Sequence, residues 1–184
     1  SRTDKMRLEF NEYVPHIDNQ IFDFIMREIT AETFSMYPEL QKTYAVLSAY
    51  LKQPIDRILL TAGADQAIFQ VLNTFCTSGD RIGIIEPNFS MYDHYARVIG
   101  CEIMQSFYDA EWTIHEDKLL NLIQANCKLI VITSPNSYTG TIIQKNILET
   151  VIKNCRQKGI LVLIDEVYLD FSDEDCSSFI NHYD

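Results

Sequence analysis

Lys128-Leu-Ile-Val-Ile-Thr-Ser-Pro-Asn-Ser-Tyr-Thr-Gly140 decides the fold. Leu129 to Thr133 carries no polar alternation. A strand with one wet face alternates, whereas a strand covered on both faces reads as a continuous apolar run. Ser134-Pro135-Asn136 then ends it with turn chemistry. Downstream, Ile147 to Gln157 has the three- and four-residue spacing of a helix, closed by Gly159, and Ile160 to Ile164 is a second apolar run ending in Asp165.

The same alternation extends upstream. Ile58 to Thr61 reads as a short strand, Ala62-Gly63-Ala64-Asp65 as a tight turn and Gln66 to Phe75 as an amphipathic helix. Arg81 to Ile85 and Glu102 to Phe107 are further strands, with helices over Ser90 to Ile99 and Glu116 to Gln124. Buried-type strands each followed by a helix predict an α/β fold, a mostly parallel sheet with helices on both faces, in which one edge strand is allowed to run antiparallel. Before Ile58 the pattern is helical. Ile21, Phe22, Ile25 and Ile29 recur on one face of a helix over Ile17 to Thr30. Pro38 suits the first turn of a second helix that runs through Leu40, Tyr44, Leu47 and Leu51 and stops near Gln53-Pro54. The expected division is an N-terminal arm over residues 1–50 and a sheet domain over 51–184.

Composition narrows the function. With 47% hydrophobic and 22% charged residues the 184-residue chain is an ordinary globular sequence. A net charge of -11 argues against nucleic acid and anionic membrane as partners. No run of eighteen apolar residues predicts a membrane span. The five cysteines are widely spaced with no C-x-x-C pair, so reduced core thiols in a cytoplasmic protein are expected. His16, His94, His115 and His182 stand at no metal-ligand spacing, and no metal site is expected. The G-x-S-x-G, G-x-G-x-x-G and P-loop fingerprints are absent.

In parallel sheets ligands bind beyond the carboxyl ends of the strands. Three such ends draw notice. Ala62-Gly63-Ala64-Asp65-Gln66 opens a helix whose free N–H groups and dipole suit an anion, or is only a turn. Ser134 to Gly140 is a polar loop. Asp165-Glu166-Val167-Tyr168 sets a carboxylate at a strand end, where it faces the crevice or caps the next turn.

The order of these pieces resembles the fold-type I aminotransferases that use pyridoxal 5'-phosphate (PLP), and is most similar to their histidinol-phosphate aminotransferase branch. Phe10-Asn11-Glu12, Met36-Tyr37-Pro38-Glu39, Gly63-Ala64-Asp65, Gly79-Asp80-Arg81-Ile82, Glu86-Pro87-Asn88-Phe89-Ser90-Met91-Tyr92 and Asp165 to Ser172 carry the resemblance, from about Leu8 to Phe171. It implies that Asp165 pairs with the protonated pyridine nitrogen and keeps the ring a good electron sink. It implies that Tyr168 bonds the ring's phenolic oxygen and that Phe89 stacks on the ring, with Tyr92 as the alternative aromatic. Backbone N–H groups of Ala64 and Asp65 would hold the phosphate. Tyr37 would reach the cofactor of a neighbouring subunit in a homodimer, and Asn11 would lie over the substrate. The family usually writes Asn-Pro-Thr-Gly where this chain has Ser137-Tyr138-Thr139-Gly140. Ser137 is too short to reach the phenolic oxygen as asparagine does, except through a water. Asn136 is expected to point elsewhere.

No lysine follows Asp165. The family's cofactor-holding lysine comes later in the chain, as do its phosphate- and carboxylate-binding arginines. The resemblance therefore implies an incomplete large domain, the N-terminal part of an aminotransferase and inactive alone. Its intact parent would move an amino group between an amino acid and a 2-oxo acid or phosphorylated ketone. A PLP-dependent lyase or decarboxylase on the same scaffold, and an inactive binding module, are the alternative readings.

Overall fold

The structure, a computed structural model, describes Asn11 and residues 17–183. The chain divides into two compact units, Ser1–Leu60 and Thr61–Asp184.

The first unit is helical. Helix α1 (Asn19–Glu28) starts at Asp18, whose carboxylate accepts the Gln20 N–H at 2.7 Å. The single helix expected to Thr30 ends sooner. Thr30 caps a new short helix α2 (Ala31–Ser35), its backbone N–H donating to Thr33 Oγ1. Helix α3 (Leu40–Leu51) begins two residues after Pro38, which therefore lies outside it, and ends in left-handed Lys52. Ile58 to Thr61 is not a strand. Ile58 is extended, but a strand needs a ladder partner, and none lies beside this segment among the described residues. The Leu60 N–H goes instead to the Tyr44 hydroxyl at 3.2 Å.

The second unit holds the predicted sheet. Strands β1 (Arg81–Glu86), β2 (Glu102–Phe107), β3 (Leu129–Thr133) and β4 (Leu161–Asp165) are all parallel in the order β2-β1-β3-β4. Helix α4 (Gly63–Phe75) leads into β1, and helices α5 (Met91–Ile99), α6 (Glu116–Gln124) and α7 (Lys145–Lys158) connect the strands. Successive strand residues point to opposite faces, and the core splits accordingly. Ile82, Ile84, Leu129 and Val131 pack with Ile68 and Leu72 of α4 and Tyr92 and Ala96 of α5. Ile85, Ile130 and Ile132 pack with Leu119 and Leu122 of α6 and Leu148 and Val151 of α7. Both faces of the sheet are thus covered, which is why β3 reads as an unbroken apolar run. Gly83 is where a helix approaches the sheet most closely. A Cβ there would stand 3.1 Å from Ile130 Cγ1 and 3.4 Å from Leu122 Cβ.

From β1 the chain steps to β2 on one side and then returns to β3 on the other. The strand order reverses between β1 and β3, and that reversal opens a crevice at their carboxyl ends. No helix among the described residues is long and apolar enough to cross a membrane.

A candidate site at the carboxyl ends of the strands

Helix α4 begins earlier than the glycine turn suggested. Gly63 itself opens it with φ +78°, and its N–H bonds Thr61 O at 2.9 Å. Ala64 and Asp65 therefore occupy the first turn, where N–H groups have no intrahelical acceptor and the dipole favours an anion. The Asp65 carboxylate faces away from this role, accepting a hydrogen bond from the Tyr95 hydroxyl at 3.2 Å.

After β1, Asn88 is a buried hub. Its Oδ1 accepts the Phe89 N–H and the Thr133 hydroxyl, both at 2.7 Å, tying the ends of β1 and β3 together. Phe89 stands next to it with 39% of its surface exposed, an aromatic face still open to a ligand. Tyr92 differs: its ring is 1% exposed, so it offers no face for stacking. Its hydroxyl donates to Asp165 Oδ2 at 2.6 Å. Burial first, and then the neighbouring Asp165 carboxylate, push the Tyr92 phenol well above its ordinary range, so it stays protonated as a donor.

After β3, Asn136 is consumed by the loop. Nδ2 donates to Pro87 O at 2.9 Å, and Oδ1 accepts the N–H groups of Tyr138 and Thr139 at 2.9 and 3.1 Å. It is turned away from ligand duty, as the sequence suggested. Ser137 is different again. Its Oγ is buried and meets no hydrogen-bond partner among the described residues. A buried hydroxyl without a partner costs roughly 1–3 kcal/mol, so its presence asks for a ligand or water.

Asp165 closes β4 rather than following it, in register with Thr133. Oδ1 accepts the Val167 N–H at 3.0 Å while Oδ2 receives Tyr92. It does cap the turn, then, yet a carboxylate has about four acceptor positions and two remain. Tyr168 lies just beyond, its ring 6.3 Å from that of Phe171.

In the second unit Phe89, Ser137, Asp165 and Tyr168 stand at or just beyond the carboxyl ends of β1, β3 and β4, while Ala64 and Asp65 open α4. Asn11 and Tyr37 belong to the first unit. Asn11 has φ 49°, and Tyr37 is 99% exposed. What sequence reasoning missed is that α5 carries two tyrosines one turn apart, Tyr92 and Tyr95, each holding a carboxylate of this edge. Their three-residue spacing was the available signal. Among the described residues, no group of three His, Cys, Asp or Glu is placed to hold a metal ion.

Known proteins share this fold. The chain is 26% identical over 186 residues to histidinol-phosphate aminotransferase from Clostridium novyi (strain NT), covering 98% of this chain and 51% of that one. It is 31% identical over 147 residues to the enzyme of the same name from Yersinia pestis (strain Pestoides F), covering 78% and 38%. It spans only 38–51% of the length of these curated relatives. Among solved structures, a putative histidinol-phosphate aminotransferase from Erwinia carotovora atroseptica superposes with a TM-score of 0.73 at 20% identity, over 88% of this chain and 47% of that one. Cystalysin from Treponema denticola, whose structure contains a pyridoxal 5'-phosphate cofactor, gives 0.72 at 18% identity, over 89% and 44%. At such identities these superpositions speak for the fold. A family model described as aminotransferase class I and II matches residues 4–184, nearly the whole sequence, and the chain belongs to that family.

Proposed function

We propose that this chain supplies the first half of a PLP-dependent aminotransferase, whose substrates are an amino acid and a 2-oxo acid or phosphorylated ketone of the histidinol-phosphate kind. The observation that carries the reading is Asp165: a carboxylate at the end of β4, oriented by two donors, with acceptor positions left over. The other groups fit the same ligand. The first turn of α4 suits its phosphate, the open ring of Phe89 its aromatic face, and the unpaired Ser137 hydroxyl its phenolic oxygen.

When bound, PLP supplies an electron sink for negative charge formed at the α-carbon of an amino acid. The chain's own residues orient it. Asp165 accepts the proton-bearing ring nitrogen and keeps that nitrogen cationic. Ala64 and Asp65 offer backbone N–H groups to the phosphate. Phe89 restricts the tilt of the ring, and Tyr168 and Ser137 donate to its oxygen. Serine in place of the family's asparagine gives a shorter and weaker donor, so this contact is expected to contribute less here than in relatives.

A homodimer belongs to the same reading, with Asn11 toward the substrate and Tyr37 toward a neighbouring subunit's cofactor. Its support is a tyrosine left almost wholly exposed, in an arm whose described residues also leave Ile21, Phe22, Ile25 and Phe34 exposed. A cytoplasmic location is part of the reading too, supported by free thiols at Cys76, Cys127, Cys155 and Cys176 buried in the core.

The test uses the whole protein that carries this chain. With PLP, histidinol phosphate and 2-oxoglutarate it is expected to form glutamate, and the cofactor's visible absorbance is expected to change on adding the amino donor alone. Absorbance that ignores every amino donor would contradict the proposal. Release of a substrate's carboxyl group as carbon dioxide would replace amino transfer by decarboxylation.

A further inference from the structure

Among the described residues Tyr92 is the one fully buried tyrosine whose hydroxyl is spent on a residue of the proposed site. It sits in the first turn of α5, its ring in the core between the sheet and α4, and reaches across 73 positions of sequence to Asp165 Oδ2. The 2.6 Å separation falls in the range of an O–H donor on an ionised carboxylate. A phenylalanine would fill the same core volume, so what the hydroxyl adds is the contact with Asp165. With Val167 N–H on Oδ1, the carboxylate is gripped at both oxygens by donors that themselves are fixed, one by a buried ring and one by backbone.

We infer that Tyr92 is a positioning residue: its hydroxyl holds the Asp165 carboxylate in one orientation, so that its remaining acceptor positions meet a cationic ring N–H. The inference rests on the PLP reading of the site. It assigns Tyr92 to the support of Asp165 and removes it from the stacking role that an aromatic in this motif suggests. Without the hydroxyl, Asp165 keeps only the Val167 bond on one oxygen. The carboxylate then gains rotational freedom about the bond that remains.

The experiment is a double-mutant cycle in the whole protein with Tyr92→Phe, Asp165→Asn and both together. The readouts are the equilibrium affinity of the apoprotein for PLP and the pH midpoint of the bound cofactor's visible absorbance. Tyr92→Phe is expected to weaken PLP binding about tenfold, the scale of one hydrogen bond to a charged group, and to move the midpoint. In the Asp165→Asn background the same change is expected to do nothing to either, because the residue it acts through no longer carries a charge. Wild-type affinity and midpoint in Tyr92→Phe would overturn the inference. So would an undiminished loss from Tyr92→Phe in the Asp165→Asn background, which would mean that the hydroxyl acts through packing. Should Tyr92→Phe alone fail to fold, the comparison of Asp165→Asn with the double variant still decides, since neither leaves the part-buried carboxylate short of a donor. Asp165→Asn binding PLP as tightly as wild type, with an unmoved midpoint, would instead sink the PLP reading itself.

Discussion

Helix α1 and helix α7 are both amphipathic by sequence, yet α7 has four buried residues, Leu148, Val151, Ile152 and Cys155, and α1 has none. The contrast extends to their units. Among the described residues before Thr61 only Gln53 is buried, while the second unit fills two cores on either face of its sheet. Periodicity makes a helix two-faced, but burial needs a surface to receive the apolar face, and in this chain only the sheet provides one. Ile21, Phe22 and Ile25 form a stripe that the chain itself leaves uncovered.

Hydrogen exchange on the 184-residue chain should expose the contrast most strongly. Amides of β1 and β3 are expected to exchange only through global opening, and those of α1 and α2 with opening free energies near zero. Equal protection in the two units would break the comparison. Truncation in the core comes next. Leu148→Ala, at a fully buried position, should cost about 2–5 kcal/mol by urea unfolding. Phe34→Ala, at a residue 84% exposed, should stay within about 0.5 kcal/mol.

How much was legible in the sequence follows the same division between local and distant causes. The bounds of β2, β3 and α6 are those expected, because apolar runs and the turn residues around them are neighbours in sequence. Ile58 to Thr61 misled because a strand is defined by its partner, and the pairing is not written in the segment. The start of α4 was misplaced because Gly63 reads as a turn residue although its positive φ opens the helix. At the site, Asp165 was legible as a strand-end carboxylate, and Phe89 only through the resemblance of Glu86 to Tyr92 to a known motif. The Tyr92–Asp165 bond was not, because an aromatic at helical spacing reads as core packing until the strand 73 positions away is placed beside it.

Smaller effects sharpen the picture within the second unit. Asn136→Ala removes three hydrogen bonds, one that ties the loop after β3 to Pro87 and two within the loop, and should destabilise by about 1–3 kcal/mol, read as a lower urea midpoint. An unchanged midpoint would show that the loop is held by other contacts. The smallest effect concerns acid. Asp80 is held below the ordinary carboxylate range by the Thr77 N–H and then the Thr77 hydroxyl. A depressed folded-state value contributes stability above the unfolded value of about 3.9, and that contribution is lost as pH falls through the folded one. Asp80→Asn should therefore lower Tm slightly at neutral pH, and the difference from wild type should shrink as both are acidified through that range. A difference that grows on acidification would reverse the assigned sign.

The central claim is that Asp165 is the counter-charge around which the strand-end site is organised. Asp165→Asn in the whole protein tests it most directly. The amide keeps an oxygen for the Val167 N–H and offers an N–H to the Tyr92 oxygen, so shape and packing persist while the charge goes. The measurement is the single-turnover rate of amino transfer, with Tm read alongside. The account predicts a Tm close to wild type and a rate lower by about 100-fold or more, the scale of a lost charge interaction in the transition state. A variant that turns over at the wild-type rate, or one that loses only stability, would contradict it.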